Sequence, residues 1–284
     1  MTTARSAWTT DGLVKNPPPP ELTVINFSGG VQSTALVYML LEGFLTAQSP
    51  VLVLNADPGM EMTGTQATVR DVFARCHDAG IPAYTAPGPN LYEHLLDTSQ
   101  TRLDNPPYFV AKEKGKRGRL RQKCTREFKI RPMDRAIRKE MRERGIKLGT
   151  GVVEKWIGFP LDERHRFSLP SQKYVRFSFP LAHLGMTKQD VRQWLQVNGY
   201  PIPVRSVCAG CFAHAPADFR RMREEDPAAF AKAVTIDRVV RHHPAMGAKY
   251  PVFVSDSLQP LEDLCATDDA DRTELSCDSG YCFL

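Results

Sequence analysis

"INFSGGVQST", residues 25–34, is the stretch from which the architecture can be read. A β-branched and aromatic run stops on Gly29-Gly30, and the chain resumes with hydroxyl residues and the apolar stretch "STALVYMLLEG" (33–43). That stretch has helical length and closes on Gly43, a common helix terminator. A strand that runs through glycines into a helix presents unpaired backbone N–H groups and the positive end of the helix dipole. Glycines there also let an anion approach the backbone. Ser28-Gly29-Gly30 therefore reads as a phosphate cradle. It is neither of the two common kinds, because no lysine follows as in G-x-x-x-x-G-K-[ST] and there is no G-x-G-x-x-G. Taken alone, these residues also fit an ordinary strand-to-helix turn.

Outward from the glycines the chain alternates strand-like and helix-like segments. "LTVINF" (22–27) and "VLVLNAD" (51–57) are continuous apolar runs of strand length, as in strands covered on both faces. A helix is predicted from Thr63 to Ala79, a short strand near "PAYTA" (82–86), and a charged helix over "RPMDRAIRKEMRERG" (131–145) with Pro132 in its first turn. "KWIGFP" (155–160) reads as a strand end, and Thr187 to Asn198 as a helix opened by the capping box Thr187-x-x-Asp190. This alternation predicts an α/β fold, a Rossmann-like parallel sheet with helices on both faces. Three parts are expected: a lead-in over 1–21 containing Pro17 to Pro20, an α/β domain over 22–200, and a small cysteine-containing helical region over 201–284.

Composition narrows the function classes. With 284 residues and 42% hydrophobic content the chain can bury a full core. No apolar run approaches the ~20 residues of a membrane span, and the first residues lack an apolar signal core, so a cytoplasmic protein without membrane contact is expected. Seven cysteines without an export signal read as thiols or ligands rather than a disulfide framework. The net charge of +5 is local: residues 112–129, "KEKGKRGRLRQKCTREFK", carry nine Lys/Arg against two Glu, leaving the rest of the chain at −2. Such a run is a solvated face, a grip for a polyanion, or a cover over a triphosphate.

Five ordered elements between about Val24 and Leu264 carry a family resemblance. Ser28-Gly29-Gly30-x-x-Ser33 after a buried first strand resembles the signature of the PP-loop ATP pyrophosphatases, which cleave ATP between the α and β phosphates. "NADPGMEM" (55–62) is similar to the Asp-Thr-Gly-x-Glu element of the phosphoadenylyl-sulfate reductase branch, with Asp57, Gly59 and Glu61 matching. "CTREFKIRPMDRAIR" (124–138) resembles that branch's cysteine-containing stretch through Cys124, Lys129 and Pro132. "WIGFPLDERHR" (156–166) stands where the family has a Gly-x-x-x-x-Glu loop, here Gly158 and Glu163, and "CAGC" (208–211) where it has a second cysteine pair. The departures are Lys123-Cys124 in place of Cys-Cys, Gln32 in place of the usual acid of the loop, and no Glu-Cys-Gly-Leu-His tail. The pattern is thus closer to reductase-like proteins of mobile elements and to the sulfur-transfer component of DNA phosphorothioation systems.

The resemblance implies a site. Ser28, Gly29, Gly30, Gln32, Ser33, Asp57 and Gly158 would hold ATP with Mg²⁺, and Ser28, Asp57, Glu61, Lys129 and Glu163 would act in the chemistry. Cys124, Cys208 and Cys211 would ligate a [4Fe–4S] cluster, with zinc as the alternative, and Cys282 or Cys277 would complete the set. Cys76 and Cys265 read as core residues, as do Trp156 and Trp194. The implied activity is ATP-dependent activation of an acceptor, DNA or RNA gripped by residues 112–129, for sulfur incorporation, with a cysteine desulfurase or another donor as partner. Two alternatives stay open: a sulfonucleotide reductase with a C-terminal cysteine nucleophile, and a regulatory nucleotide-binding component.

Overall fold

The protein's structure, a computed structural model, describes residues 18–264. Its elements in chain order are β1 (Leu22–Asn26), α1 (Val31–Leu41), β2 (Val51–Asn55), α2 (Thr63–Asp78), β3 (Ala83–Thr85), α3 (Leu91–Leu96), β4 (Phe109–Ala111) and β5 (Arg117–Arg119). They continue with α4 (Arg131–Glu143), β6 (Val153–Trp156), β7 (Val175–Ser178), α5 (Pro180–His183), α6 (Lys188–Val197), α7 (Pro216–Glu225), α8 (Pro227–Val240) and β8 (Val252–Phe253).

Five strands form one parallel sheet in the order β3-β2-β1-β6-β7, the α/β architecture expected from the sequence. Alternate residues of a strand face opposite sides, so the apolar strands need cover on both. Ile25, Val53 and Trp156 pack with α1, α2 and α6. Leu22, Val24, Leu52, Leu54, Val153 and Val175 pack with Met133, Ala136, Ile137 and Met141 of α4. The predicted capping box of α6 is present, with Thr187 and Asp190 each accepting from the other's backbone N–H.

β6 departs from a plain apolar strand. Glu154 and Lys155 are both buried, and each is matched: Lys155 Nζ lies 3.3 Å from Asp134 of α4, and Glu154 lies 3.2 Å from Arg176 on the neighbouring β7. Trp156 Nε1 also donates to Glu154 Oε2 at 2.9 Å. Buried charges persist only where such partners offset desolvation.

Between β3 and α4 the chain leaves the main sheet. β4 pairs antiparallel with β5 and with β8, making a small second sheet in the order β5-β4-β8. Residues 201–264 and the excursion between α3 and α4 bury one apolar cluster together, including Leu95, Tyr108, Phe128, Phe212, Phe219 and Ile236. Asp237 of α8 holds the last described stretch by accepting from the backbone N–H groups of Val254 (3.0 Å) and Leu261 (3.2 Å). Among the described residues no helix is long and apolar enough to cross a membrane.

The turn after β2 tests this packing. Gly59 has φ +79°, and a Cβ there would stand 2.2 Å from Asn90 Oδ1, the atom that accepts from Glu93 N to cap α3. Gly59→Ala is expected to cost about 1–3 kcal/mol from the strained backbone and the displaced cap. Gly43→Ala, with φ +71° but open space around it, should show only the backbone part. Denaturant unfolding of both variants reads the difference.

Candidate active site

β1 sits in the middle of the sheet, with β2 on one side and β6 on the other. The crossovers leave it in opposite directions, and ligands of open α/β sheets bind in the crevice that opens at the carboxyl ends of the strands at such a switch point. A cleft of about 310 Å³ occupies this position, lined by Ser28, Gly30, Gln32 and Ser33 from the glycine loop and by Lys155, Ile157 and Gly158 from β6 and its end.

The loop is held by its own hydroxyls. Ser28 N donates to Ser33 Oγ at 3.2 Å, and Ser33 Oγ donates to Gly30 O at 3.2 Å. Gly29 takes φ +76°, where only glycine is unstrained, and Gly30 forms the N-terminal boundary of α1. Gly158 lies so close beneath that a Cβ would be 3.1 Å from Ser33 N and 3.2 Å from Gln32 C. From the distant 201–264 segment, Ser206 Oγ donates to Ser28 O at 2.6 Å. The loop is therefore clamped by β6 on one side and by the cysteine-bearing segment on the other.

Three cations line the cleft, each with a carboxylate beside it. Lys129 Nζ is 3.4 Å from Glu61 Oε1, Lys155 Nζ is 3.3 Å from Asp134 Oδ1, and Arg166 Nη1 is 2.8 Å from Glu163 Oε2. Glu163 also meets Lys188 at 2.7 Å, and Arg166 lies over the Phe159 ring at 4.0 Å. Gln172 Nε2 donates to Asp134 Oδ2 at 2.6 Å. Burial pushes the Glu61 carboxyl above the usual carboxylate range; Lys129 opposes that rise and Asp57 adds to it. Of the residues predicted from sequence, Asp57 is placed differently from the others. It is exposed at the end of β2 and accepts from Gly59 N at 2.7 Å, forming the turn that delivers Glu61 inward.

Sequence reasoning passed over Asn26, Asp134, Lys155, Arg166 and Ser206, all of which line the cleft. Lys155 had a readable signal, since with Glu154 it places two charges inside an otherwise apolar strand. Ser206 had none, because only the fold brings it to Ser28.

A second void, of about 20 Å³, is lined by Cys124, Cys208 and Cys211 together with Pro58, Met60, Leu91, Pro106, Phe128 and Phe212. Tyr108 sees all three sulfurs: burial pushes its phenol well above the usual range, and Cys211, Cys124 and Cys208 add to the rise. Its hydroxyl donates to Gly210 O at 3.0 Å. Cys208 reaches this place by bridging to Glu61, with Ala209 N donating to Met60 O at 2.7 Å. Three soft donors on one apolar void suit an iron–sulfur cluster or zinc in ligand type. Among the described residues no group of three or more His, Cys, Asp or Glu is drawn together closely enough for a single metal ion. Cys277 and Cys282 lie outside the described residues.

Lys129 connects the two spaces. It stands in a single π-helical turn, Arg126–Ile130, that runs into α4, and its side chain lines both the large cleft and the cysteine void. A π-turn inserts one extra residue per turn. Here Phe128 is directed into the apolar cluster while Lys129 faces Glu61.

The basic run forms an exposed ribbon around β5. Lys112, Lys116, Arg117, Arg119 and Arg121 are exposed, and among the described residues of the run Lys129 alone lines the large cleft. Arg119 lies over the Phe212 ring at 4.2 Å, beside the cysteine void, and Arg117 meets Asp256 at 2.8 Å.

The loop geometry makes Gly30 a sharp test. Its backbone, φ −88° and ψ 172°, is open to any residue, but a Cβ would meet Ser206 Cβ at 3.2 Å on the cleft wall. Gly30→Val is expected to leave circular dichroism and the unfolding midpoint near wild type and to abolish ATP binding in calorimetry. Unchanged ATP affinity in the folded variant would contradict a phosphate cradle at this loop.

Comparison with known proteins gives no matching family model and no matching curated protein. Among solved structures the chain is similar to the U34-tRNA thiolase NcsA from Methanococcus maripaludis with its [4Fe-4S] cluster, at 14% identity and a TM-score of 0.43, over 79% of this chain and 74% of that one.

Proposed function

We propose that the protein is a PP-loop ATP pyrophosphatase that activates a nucleic acid for sulfur incorporation. The observation that carries this reading is the placement of a glycine-loop cleft and a three-thiol void side by side, with Lys129 lining both. A nucleotide cleft alone would serve many reactions, and a thiol void alone would serve a structural metal. Activation and sulfur delivery on one acceptor require the two to adjoin.

In this reading the N–H groups of the Gly29-Gly30 loop and the start of α1 stabilise charge on the departing pyrophosphate. The carboxylates lining the cleft, Asp134 and Glu163, are each committed to a cation. Mg²⁺ would therefore arrive on the nucleotide's own phosphate oxygens, its usual manner of binding. Lys129, held by Glu61, stands between the glycine-loop cleft and the thiols, where the activated acceptor would meet sulfur. An iron–sulfur cluster on Cys124, Cys208, Cys211 and a fourth thiol, Cys282 or Cys277, would supply sulfur-binding chemistry, with zinc as the alternative ligand set. The sulfur comes from a separate donor such as a cysteine desulfurase. The work divides between an ATP-binding domain over 22–200 and a cysteine-bearing region over 201–284. The arginines and lysines around β5, beside the cysteine void, support nucleic acid as the acceptor.

The assay is direct. Anaerobically prepared protein with labelled ATP is expected to form AMP and pyrophosphate when DNA or RNA is added, and ATP cleaved to ADP, or not at all, would refute the activity. Such preparations should contain iron and absorb in the visible, and Cys124→Ala, Cys208→Ala or Cys211→Ala should each lose that absorbance. Colourless protein with stoichiometric zinc would assign the thiols to zinc.

The ribbon gives an independent measurement. Nucleic-acid affinity should fall by roughly 0.7 to 0.9 log units per decade of salt for each phosphate neutralised. Lys116→Glu with Arg117→Glu and Arg119→Glu should weaken binding and flatten that slope while ATP affinity stays near wild type. Loss of ATP affinity in this variant, with no salt-dependent nucleic-acid binding by the parent, would make the ribbon a cover over the triphosphate.

A further inference from the structure

The two faces of α4 differ in charge. Met133, Ala136, Ile137 and Met141 are buried against the main sheet. At 3.6 residues per turn the direction opposite them holds Arg131, Arg135, Arg138 and Arg142, spaced by four, three and four residues, and all four are exposed. The acids of the helix point elsewhere. Asp134 Oδ1 lies 3.3 Å from Lys155 at the cleft, Glu140 accepts from Tyr84 Oη at 2.9 Å, and Glu143 meets Lys139 at 2.9 Å. Along the sequence these acids dilute the basic residues, and only the fold separates the two.

The row costs the helix more than the chain returns. Opposite charges three or four residues apart stabilise an exposed helix face by about 0.2–0.5 kcal/mol per pair, and like charges cost a similar amount. Arg131 with Arg135, Arg135 with Arg138, and Arg138 with Arg142 are three like pairs. Arg131 is offset by Glu127, and Arg138 is held by Tyr174, whose hydroxyl accepts from its Nε at 3.1 Å. Arg135 and Arg142 make no ion pair or side-chain hydrogen bond among the described residues.

Position and shape say what the row meets. It begins at the cleft, which Ile130, Met133 and Asp134 line. From Arg131 to Arg142 it runs about 16 Å along the outer surface, at 1.5 Å per residue, with neighbouring Cβ atoms about 5–6 Å apart. A line of guanidinium groups is complementary to a line of anions, and each can grip a phosphate through two parallel N–H bonds. No large exposed apolar side chain lies on α4, although a helix resting on a lipid surface needs them.

We infer that the arginine row of α4 is a phosphate track, which holds the backbone of a nucleic acid where the strand leaves the cleft, on a surface separate from the ribbon around β5. The inference rests on the proposed nucleic-acid acceptor and adds where that polymer is held beyond its reacting unit. Contacts of this kind position a strand and carry no sequence information.

Salt-dependent binding tests the track. Arg135→Glu with Arg142→Glu alters two exposed side chains that do not line the cleft. Arg70→Glu with Arg192→Glu makes the same change of charge on α2 and α6, across the sheet, and serves as the control. Each holoprotein is titrated with long single- and double-stranded nucleic acid of mixed sequence over a decade of salt. The α4 variant should lose about 1.4 to 1.8 log units per decade from the salt slope, two phosphates at roughly 0.7 to 0.9 each. The control pair, and Arg135→Lys with Arg142→Lys, should keep the parent's slope. The glutamates turn like pairs into opposite ones, so the unfolding midpoint of the α4 variant should hold or rise while binding falls, and ATP affinity should match the parent. An unchanged slope in the folded α4 variant overturns the inference alone and leaves the proposed activity standing. An equal loss in the control pair does the same, because the effect would then be one of net charge. A parent that binds no nucleic acid at low salt overturns the acceptor and the track together, and if it binds vesicles of anionic phospholipid instead, the row belongs to a membrane surface.

Discussion

The ion pair of half-buried Lys129 with buried Glu61 is the contact around which the rest of the site is arranged. Each residue comes from a different layer: Glu61 from the turn after β2 of the main sheet, Lys129 from the π-turn that follows Cys124. Glu61 in turn bridges to Cys208, so one ion pair ties together the nucleotide cleft, the second sheet's excursion and the cysteine segment. Removing Lys129 leaves the buried Glu61 carboxylate without its cation, which typically costs about 3–5 kcal/mol. Such a cost is a reason for the two layers to stay in register even though few of the sheet's hydrogen bonds cross between them.

The cleft follows one electrostatic rule throughout. Each of its lining cations, Lys129, Lys155 and Arg166, is balanced by a carboxylate, so the cleft holds charged groups without a large net charge. A triphosphate bound as proposed would depend for neutralisation on its own metal ion and on backbone N–H groups, which need no counter-charge. The surplus positive charge is on the surface instead, on the ribbon around β5, where it remains hydrated. A polyanion is attracted from a distance by that ribbon, and the chemistry is left to a site of balanced charge.

The clamps on the glycine loop tie it to the cysteine segment. Ser206 holds Ser28, and two residues later Cys208 holds Glu61. Gly158 limits the opposite side, so the loop is held from both.

How much of this was legible in the sequence follows from the range of the forces involved. The parallel sheet was readable because its signals are local: apolar runs such as "VLVLNAD" (51–57), glycine stops, and the Thr187–Asp190 box all act within a few residues. The glycine loop was readable for the same reason, since a turn's chemistry belongs to its own residues. The second sheet was not, because β4, β5 and β8 are two or three residues long and β8 joins β4 across more than a hundred positions. Ser206 against Ser28 and Lys155 against Asp134 were equally hidden, being properties of distant segments in contact. Local chemistry named the loop, the cysteines and the basic run; three-dimensional packing placed them around Lys129, because burial and charge pairing depend on neighbours in space rather than along the chain.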